Sequence, residues 1–224
     1  MGLPLGRAGG RDEPGLPGGG APYASLPPRV TDRAVRLAAR LLAAVWTAVG
    51  LRRAGSLLRH YLRGSGRPYR ADAGALLRLP AVAGAVDAEL LRWRLEALQR
   101  WEDAGGAEVR CPADSGWRGV LITRPRGTAQ AAWRSLDWWL ALRGVSYRLS
   151  GTVRVRRDGA VTVDHRFEVH MNWNSGRGES GPGIPLTPFA RLHGAGLARE
   201  FTVTGEADGL VYDGTRTRGA RVPS

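Results

Sequence analysis

The sequence predicts an α+β fold, in which N-terminal helices pack on a small antiparallel sheet. Apolar residues recur at helical spacing in residues 31–63 and again in residues 86–102. Apolar and polar residues then alternate along two stretches between residues 145 and 172, which is typical of a β-hairpin with one buried face. We therefore expect a sheet built around this hairpin, with the helices covering it.

The 224 residues are enough for one domain of moderate size. Residues 1–28 are rich in glycine and proline and lack an apolar period, so we expect a disordered arm there. Residues 29–212 form the predicted domain, and residues 213–224 are expected to be a flexible tail. A hydrophobic fraction of 43% allows the domain a packed core.

The predicted helix over residues 31–63 begins at Thr31 or Asp32, either of which can cap it. Gly50 and Gly55 weaken its middle. One apolar stripe is expected to face the core, with arginine on the remaining face. The stripe consists of Val35, Ala38, Leu41, Leu42, Val45, Trp46, Val49, Leu57, Leu58, Tyr61 and Leu62.

Shorter elements complete the prediction. The helix over residues 86–102 is stopped by two consecutive glycines. The remaining elements are a short strand at 117–123, a segment at 128–139 that is ambiguous between helix and loop, a short helix at 187–193 and a strand at 199–204.

The turn of the hairpin at 145–172 defines its register. A two-residue loop at Asp158-Gly159 would pair Val155 with Thr162 and mix the two faces. A three-residue loop with Gly159 in the left-handed region keeps the faces consistent. The resulting pairs are Val155 with Val161, Thr152 with Asp164, Gly151 with His165 (where the missing side chain leaves room for the imidazole), Arg148 with Glu168 as a favourable charge pair, and Ser146 with His170.

The net charge of +13 arises from 33 basic and 20 acidic residues, and every basic residue is arginine. The absence of lysine indicates codon bias from a G+C-rich genome rather than selection for phosphate contacts. The positions of the arginines are more informative, because residues 29–70 contain ten arginines and only one acidic residue, Asp32. Codon bias acts along the whole chain and does not explain that clustering.

Two interpretations of this basic segment stay open. Its arginines form either a solvated helix face or a docking surface for an anionic partner, such as nucleic acid, an acidic protein or an anionic lipid surface. The candidate anion-binding residues are Arg33, Arg36, Arg40, Arg52, Arg53, Arg59, Arg63 and Arg67.

No residue pattern indicates a reaction. The single cysteine, Cys111, cannot form an internal disulfide and is expected to be an inert thiol. His165 is expected to be packed or to lie at an edge, and His170 is expected to be solvated. The two histidines point to opposite faces of a strand, so no shared metal is expected. We expect no cofactor. The weak catalytic candidates are His170, Glu168 and Asp164.

The C-terminal half resembles an uncharacterised group of bacterial proteins. The residues that carry the resemblance are Leu140 to Tyr147, Asn172-Trp173-Asn174, Leu192 to Phe201 and Gly205. Members of the group look like C-terminal modules of polymorphic toxins or secreted effectors, and their layout is distantly similar to that of colicin M, a lipid II phosphodiesterase.

The resemblance implies an Asp-x-Tyr-Asn-Trp-Asp pattern at the end of the second hairpin strand. In this chain Val169 stands at the first Asp position, Met171 at the Tyr position and Asn174 at the last Asp position. Only Asn172 and Trp173 match the pattern. Without carboxylates there is no anionic metal ligand or general base at the strand end. The sequence therefore predicts a toxin- or effector-type module that acts by binding, without an intact catalytic site.

The alternative function is nucleic-acid or anionic-membrane binding through residues 29–70. The longest mainly apolar stretch, Leu41 to Leu51 with Thr47 inside it, is too short for a membrane-spanning helix, which needs about 20 residues. No secretory signal is apparent, so the expected location is the cytoplasm, with export by a specialised secretion system as the alternative. The oligomeric state is not predicted.

Overall fold

The fold is α+β, with helices packed on one face of a mixed sheet. The computed structural model describes residues 21–122, 129–173, 180–181, 184–185, 187–212 and 215–217. The described helices are α1 (Val30–Ala48), α2 (Arg52–Arg63), α3 (Ala73–Leu76), α4 (Pro80–Asp103), α5 (Ala129–Leu142) and α6 (Thr187–Gly194).

The described strands are β1 (Tyr69–Arg70), β2 (Val109–Asp114), β3 (Arg118–Leu121), β4 (Gly144–Val155), β5 (Val161–Trp173), β6 (Ser180–Gly181), β7 (Ile184–Pro185), β8 (Phe201–Tyr212) and β9 (Thr215–Thr217). Seven of them form one sheet in the order β1-β8-β5-β4-β2, with β3 beside β4 and β9 beside β8. The pairs are antiparallel except β1 with β8, which is parallel. The sheet is thus larger than predicted and mixed rather than purely antiparallel.

The predicted hairpin is confirmed, including its register. Val155 pairs with Val161 and Ser146 with His170. The Arg156 N–H donates to the Ala160 carbonyl at 3.0 Å, and Gly159 has φ +80°, as a three-residue loop with a left-handed glycine requires. Because the turn and the alternation are both local signals, the sequence specifies this element fully.

The single helix predicted over residues 31–63 is wrong. The chain forms α1 and α2 instead, joined at Gly50, which has φ +90°. Glycine adopts this left-handed conformation without steric cost, so the helix ends there and the chain reverses. The start of α1 lies beside the end of α2, where the Arg36 Nη2 donates to the Leu62 carbonyl at 3.1 Å.

Other element boundaries also differ from those predicted. α4 starts six residues before Val86, with Pro80 in its first turn, where a missing N–H costs nothing. In the ambiguous segment at 128–139, residues 129–139 belong to α5 and residue 128 lies outside the described residues. The strand predicted at 199–204 continues to Tyr212, because it pairs with nearly the whole of β5.

The core lies between the sheet and the helices. Over most of β4 and β5, alternate residues are buried, including Val153 and Phe167, and Trp93 of α4 belongs to the same core and has no exposed surface. The hydroxyl of Tyr147 donates to the Ala85 carbonyl of α4 at 3.4 Å. The other face of the sheet carries mostly polar side chains, several of them in ion pairs.

Part of the predicted N-terminal arm is packed rather than disordered. The Ala24 and Leu26 N–H groups donate to the carbonyls of His193 and Gly194, at the end of α6. Residues 21–28 therefore belong to the domain, whereas residues 1–20 lie outside the described residues. At the other terminus, β9 extends the sheet within the predicted tail.

Candidate functional site

The strongest candidate site is the groove between α1 and α2. The two helices touch where Gly55 faces α1, because a Cβ at Gly55 would lie 2.4 Å from Thr47 Oγ1 and 2.8 Å from the Ala43 carbonyl oxygen. A side chain larger than hydrogen would fit at that contact only if the two helices shifted. The close approach brings the arginines of both helices to one place.

Four arginines line this groove, which we call the arginine groove and which has a volume of about 390 Å³. Arg36 and Arg40 come from α1, and Arg59 and Arg63 come from α2, with Leu62 as the fifth lining residue. Two of the four are held in place: Arg36 by the Leu62 carbonyl and Arg59 by Thr47, whose hydroxyl accepts from Nη1 at 2.8 Å. Arg40 and Arg63 are exposed and make no hydrogen bond or ion pair with any described residue.

The charge of this groove is not compensated within the described part of the chain. No acidic side chain lines it, and none of its four arginines forms an ion pair with a described carboxylate. The sheet differs, because Arg148, Arg154 and Arg166 each pair with a carboxylate. The groove therefore carries a local positive potential suited to an anion.

The structure separates the eight predicted anion-binding residues into two groups. Arg36, Arg40, Arg59 and Arg63 converge on the groove, whereas the other four do not line it. Arg33, Arg52 and Arg67 are exposed elsewhere, at the start of α1, at the start of α2 and in the loop after α2.

Arg53 has a structural role instead of an anion-binding one. Its guanidinium lies 4.6 Å above the ring of Trp138 and 3.5 Å from Asp137 Oδ2. The Asp137 carboxylate is buried and also accepts the N–H groups of Arg53 and Ala54, at 3.0 and 2.9 Å. It thereby caps the first turn of α2 from α5, favourably placed at the positive end of the helix dipole. This role of Asp137 could not be recognised from the sequence, because Asp137 lies 84 residues from Arg53 in the chain.

A second buried carboxylate, Asp32, holds the start of α1. It accepts the Arg29 N–H at 2.9 Å and pairs with Arg191 Nε of α6 at 2.8 Å. Burial alone would raise the pKa of Asp32, but these two partners outweigh it and place the pKa below its ordinary value. The predicted cap position, Thr31 or Asp32, is wrong, because the N-cap residue of α1 is Arg29 and Asp32 is the third residue of the helix. From there the Asp32 carboxylate accepts the Arg29 N–H, which is one half of a capping box.

The weak catalytic candidates do not form one cluster. Asp164 and His170 are six residues apart on β5, which is roughly 20 Å along an extended strand. His170 was expected to be solvated, but only 8% of it is exposed, and its ring contacts Trp117 edge-on with centroids 5.9 Å apart. Glu168 lies opposite Arg148 as predicted, yet the Arg148 guanidinium binds Asp114 of β2. That hydrogen bond lowers the pKa of Asp114, with help from the Gly116 N–H and against the effect of burial.

His165 and Cys111 are buried, as the sequence predicts. The space for the His165 ring has a different origin from the one expected, because the residue against its ring is Gly209 of β8, where a Cβ would lie 2.6 Å from Nε2. Gly151 admits the neighbouring backbone instead, since a Cβ there would lie 2.1 Å from the Asp164 carbonyl oxygen. Within the described ranges, no group of three histidine, cysteine or acidic side chains could hold a metal ion.

Two positions of the toxin-like pattern are occupied by packing residues. Val169 is buried on the helix side of the sheet, with 4% of it exposed, and Met171 packs against the same core. Trp173 stacks on Phe201 at 5.3 Å, and its Nε1 donates to the Ala141 carbonyl at 3.0 Å. Asn174 lies outside the described residues.

These features define an α+β module with a basic groove on its helical side whose charge no described carboxylate compensates. Comparisons with protein-family models, with curated proteins and with solved structures find no match to this chain. Among the described helices, none is long and apolar enough to cross a membrane.

Proposed function

We propose that this protein is a binding module that recognises a phosphate-bearing anionic partner through its arginine groove. The observation that carries the proposal is the convergence of four arginines, two from each helix, on one groove that no acidic side chain of the described ranges lines. Like charges placed together repel one another, and a bound anion removes that repulsion.

The geometry suits a ligand with several oxyanions. Arg36 and Arg59 are each anchored by a hydrogen bond from the guanidinium to the neighbouring helix, so little conformational entropy is lost when they meet a ligand. Arg40 and Arg63 have no such anchor among the described residues, which leaves their five guanidinium donors available to a ligand. Arginine presents its donors as a planar fork that matches two phosphate oxygens at once.

The test is binding of a fluorescent short-chain polyphosphate, followed by anisotropy at several salt concentrations. We expect the double variant Arg40→Gln/Arg63→Gln to bind on the order of tenfold more weakly, with a smaller dependence on salt. The matched control is Arg156→Gln/Arg157→Gln, which removes the same charge from the exposed hairpin loop. Equal losses in the two variants would show that only net charge matters and would refute a specific groove.

The relation to toxin or effector modules stays part of this proposal. A module that acts without catalysis is supported by Val169, because a carboxylate at that position would be buried against the helices rather than offered to a substrate. Incubation of the full chain with lipid II and with nucleic acid tests this point. We expect no cleavage, whereas cleavage that the His170→Ala variant lacks would contradict it.

A further inference from the structure

The outward face of α1 is apolar along its whole length. At 100° per residue, seven residues project away from the domain, and each of them is exposed. Leu37, Leu41 and Val45 have 59%, 61% and 56% of their surface exposed, and Val30 has 81%. The complete face, which we call the outer α1 face, consists of Val30, Ala34, Leu37, Leu41, Ala44, Val45 and Ala48.

This arrangement corrects the single apolar stripe expected for the helix. α1 has a second apolar side, formed by Val35, Leu42 and Trp46, that packs on the core. Leu41 and Val45, which were expected to be buried, point outward instead. A helix that needed only to cover the core would carry polar residues on its outer face.

Arginines form one border of the outer α1 face. Arg33 and Arg40 lie seven residues apart, on the same side of the helix and next to Leu37. Arg40 also lines the arginine groove, so the apolar face and the groove are continuous. At the far end of α1, Trp133 of α5 is 46% exposed and its Nε1 donates to the Val49 carbonyl at 3.1 Å.

We propose that α1 docks this protein on an anionic lipid surface, with the outer α1 face in the acyl boundary and the arginine groove against the lipid phosphates. This inference rests on the proposed function and names its partner. An aliphatic face bordered by arginine is the pattern of an interfacial helix. Trp133 has an apolar ring system and a hydrogen-bonded indole N–H, and tryptophan is enriched at the headgroup level of lipid bilayers.

The apolar side chains of the outer α1 face favour a lipid surface over nucleic acid or a protein as the partner. Nucleic acid offers phosphates but no apolar layer, so it would leave the leucines in water. Protein interfaces are typically anchored by aromatic side chains in pockets, with leucine and valine under-represented, whereas the outer α1 face itself consists of valine, leucine and alanine and has Trp133 only beside its end. Because the opposite side of α1 packs on the domain, the helix lies along the surface.

The test is flotation of the full chain with vesicles of phosphatidylcholine, with and without about a third phosphatidylglycerol. We expect binding only to the anionic vesicles, and about tenfold or more weaker binding for Leu37→Gln/Leu41→Gln. The matched control is Leu91→Gln/Leu95→Gln on α4, a leucine pair of the same spacing with 55% and 58% exposed. We expect this control to bind the vesicles as the wild type does.

A probe of insertion accompanies the flotation. Cys111 is buried, so an environment-sensitive dye on a Leu41→Cys variant labels one site, and a Leu95→Cys variant is its control. Anionic vesicles should shift the emission to the blue at position 41 alone. Equal shifts at both positions, no shift at position 41, or wild-type vesicle binding by Leu37→Gln/Leu41→Gln would overturn the proposal.

The soluble polyphosphate separates this inference from the proposed function. Leu37→Gln/Leu41→Gln should keep wild-type affinity for polyphosphate while losing the vesicles, and Arg40→Gln/Arg63→Gln should lose both. Polyphosphate binding by a protein that ignores anionic vesicles would refute the lipid docking alone. A dimer in sedimentation that Leu37→Gln/Leu41→Gln dissociates would assign the face to a second copy and would also refute it.

Discussion

A missing side chain at Gly55 sets the distance between α1 and α2, and therefore the shape of the arginine groove. The Gly55→Ala variant gains helix propensity but places a methyl group 2.4 Å from Thr47 Oγ1. We expect a net loss of about 1–3 kcal/mol in the free energy of unfolding, since overpacking outweighs propensity. Urea denaturation measures it.

The control for that substitution lies in α4. Gly84 is exposed and a Cβ there would contact nothing within 4 Å. Gly84→Ala should therefore stabilise the protein by about 0.5–1 kcal/mol. If Gly55→Ala were equally stabilising, the close contact between the helices would not exist.

Asp32 gives the stability of the protein a pH dependence at the level of one residue. Its pKa is lower in the folded state than in the unfolded chain, so its contribution is present above about pH 4 and is lost as the pH falls through the folded pKa. At pH 7, Asp32→Asn should unfold about 1–2 kcal/mol more easily than the wild type. Denaturation at pH 7 and at pH 2 measures the difference, which should shrink in acid; a constant difference would exclude the pair with Arg191.

At the scale of elements, α2 depends on α5 for its first turn. Asp137→Ala leaves the N–H groups of Arg53 and Ala54 without their carboxylate, and we expect a loss of about 2–3 kcal/mol. Asp137→Asn keeps one acceptor oxygen and should lose less. Thermal denaturation of both variants checks this order, and equal stability of Asp137→Ala and the wild type would contradict the capping role.

The elements differ in how far the sequence specifies them. The hairpin was predictable to its register because alternation and a left-handed Gly159 are local signals. From the sequence, Gly50 could be recognised only as a residue that lowers helix propensity. Whether it bends the helix or ends it depends on the contacts made by the two halves. Helical spacing also assigned Leu41 to the core, because the sequence does not show which of the two apolar sides of α1 meets the domain.

At the scale of the whole molecule, the sequence shows where the basic segment lies, and the structure shows which of its arginines line the groove. Four of the eight candidate arginines could be assigned to one groove only after the chain reversal at Gly50 placed α2 beside α1. Arg53 could not be excluded earlier, because its partners Asp137 and Trp138 come from a distant helix. On the sheet, Arg148, Arg154 and Arg166 are neutralised by ion pairs with carboxylates. The four arginines of the groove have no described carboxylate as a partner.

The most direct test of an anion-binding groove between α1 and α2 follows the arginine side chains themselves. Heteronuclear NMR of the arginine Nε–Hε groups, titrated with inorganic pyrophosphate, reports each guanidinium separately. We expect saturable shifts at Arg36, Arg40, Arg59 and Arg63, with Arg156 and Arg157 unchanged. Uniform small shifts across all arginines, or none at these four, would contradict an anion-binding groove between α1 and α2.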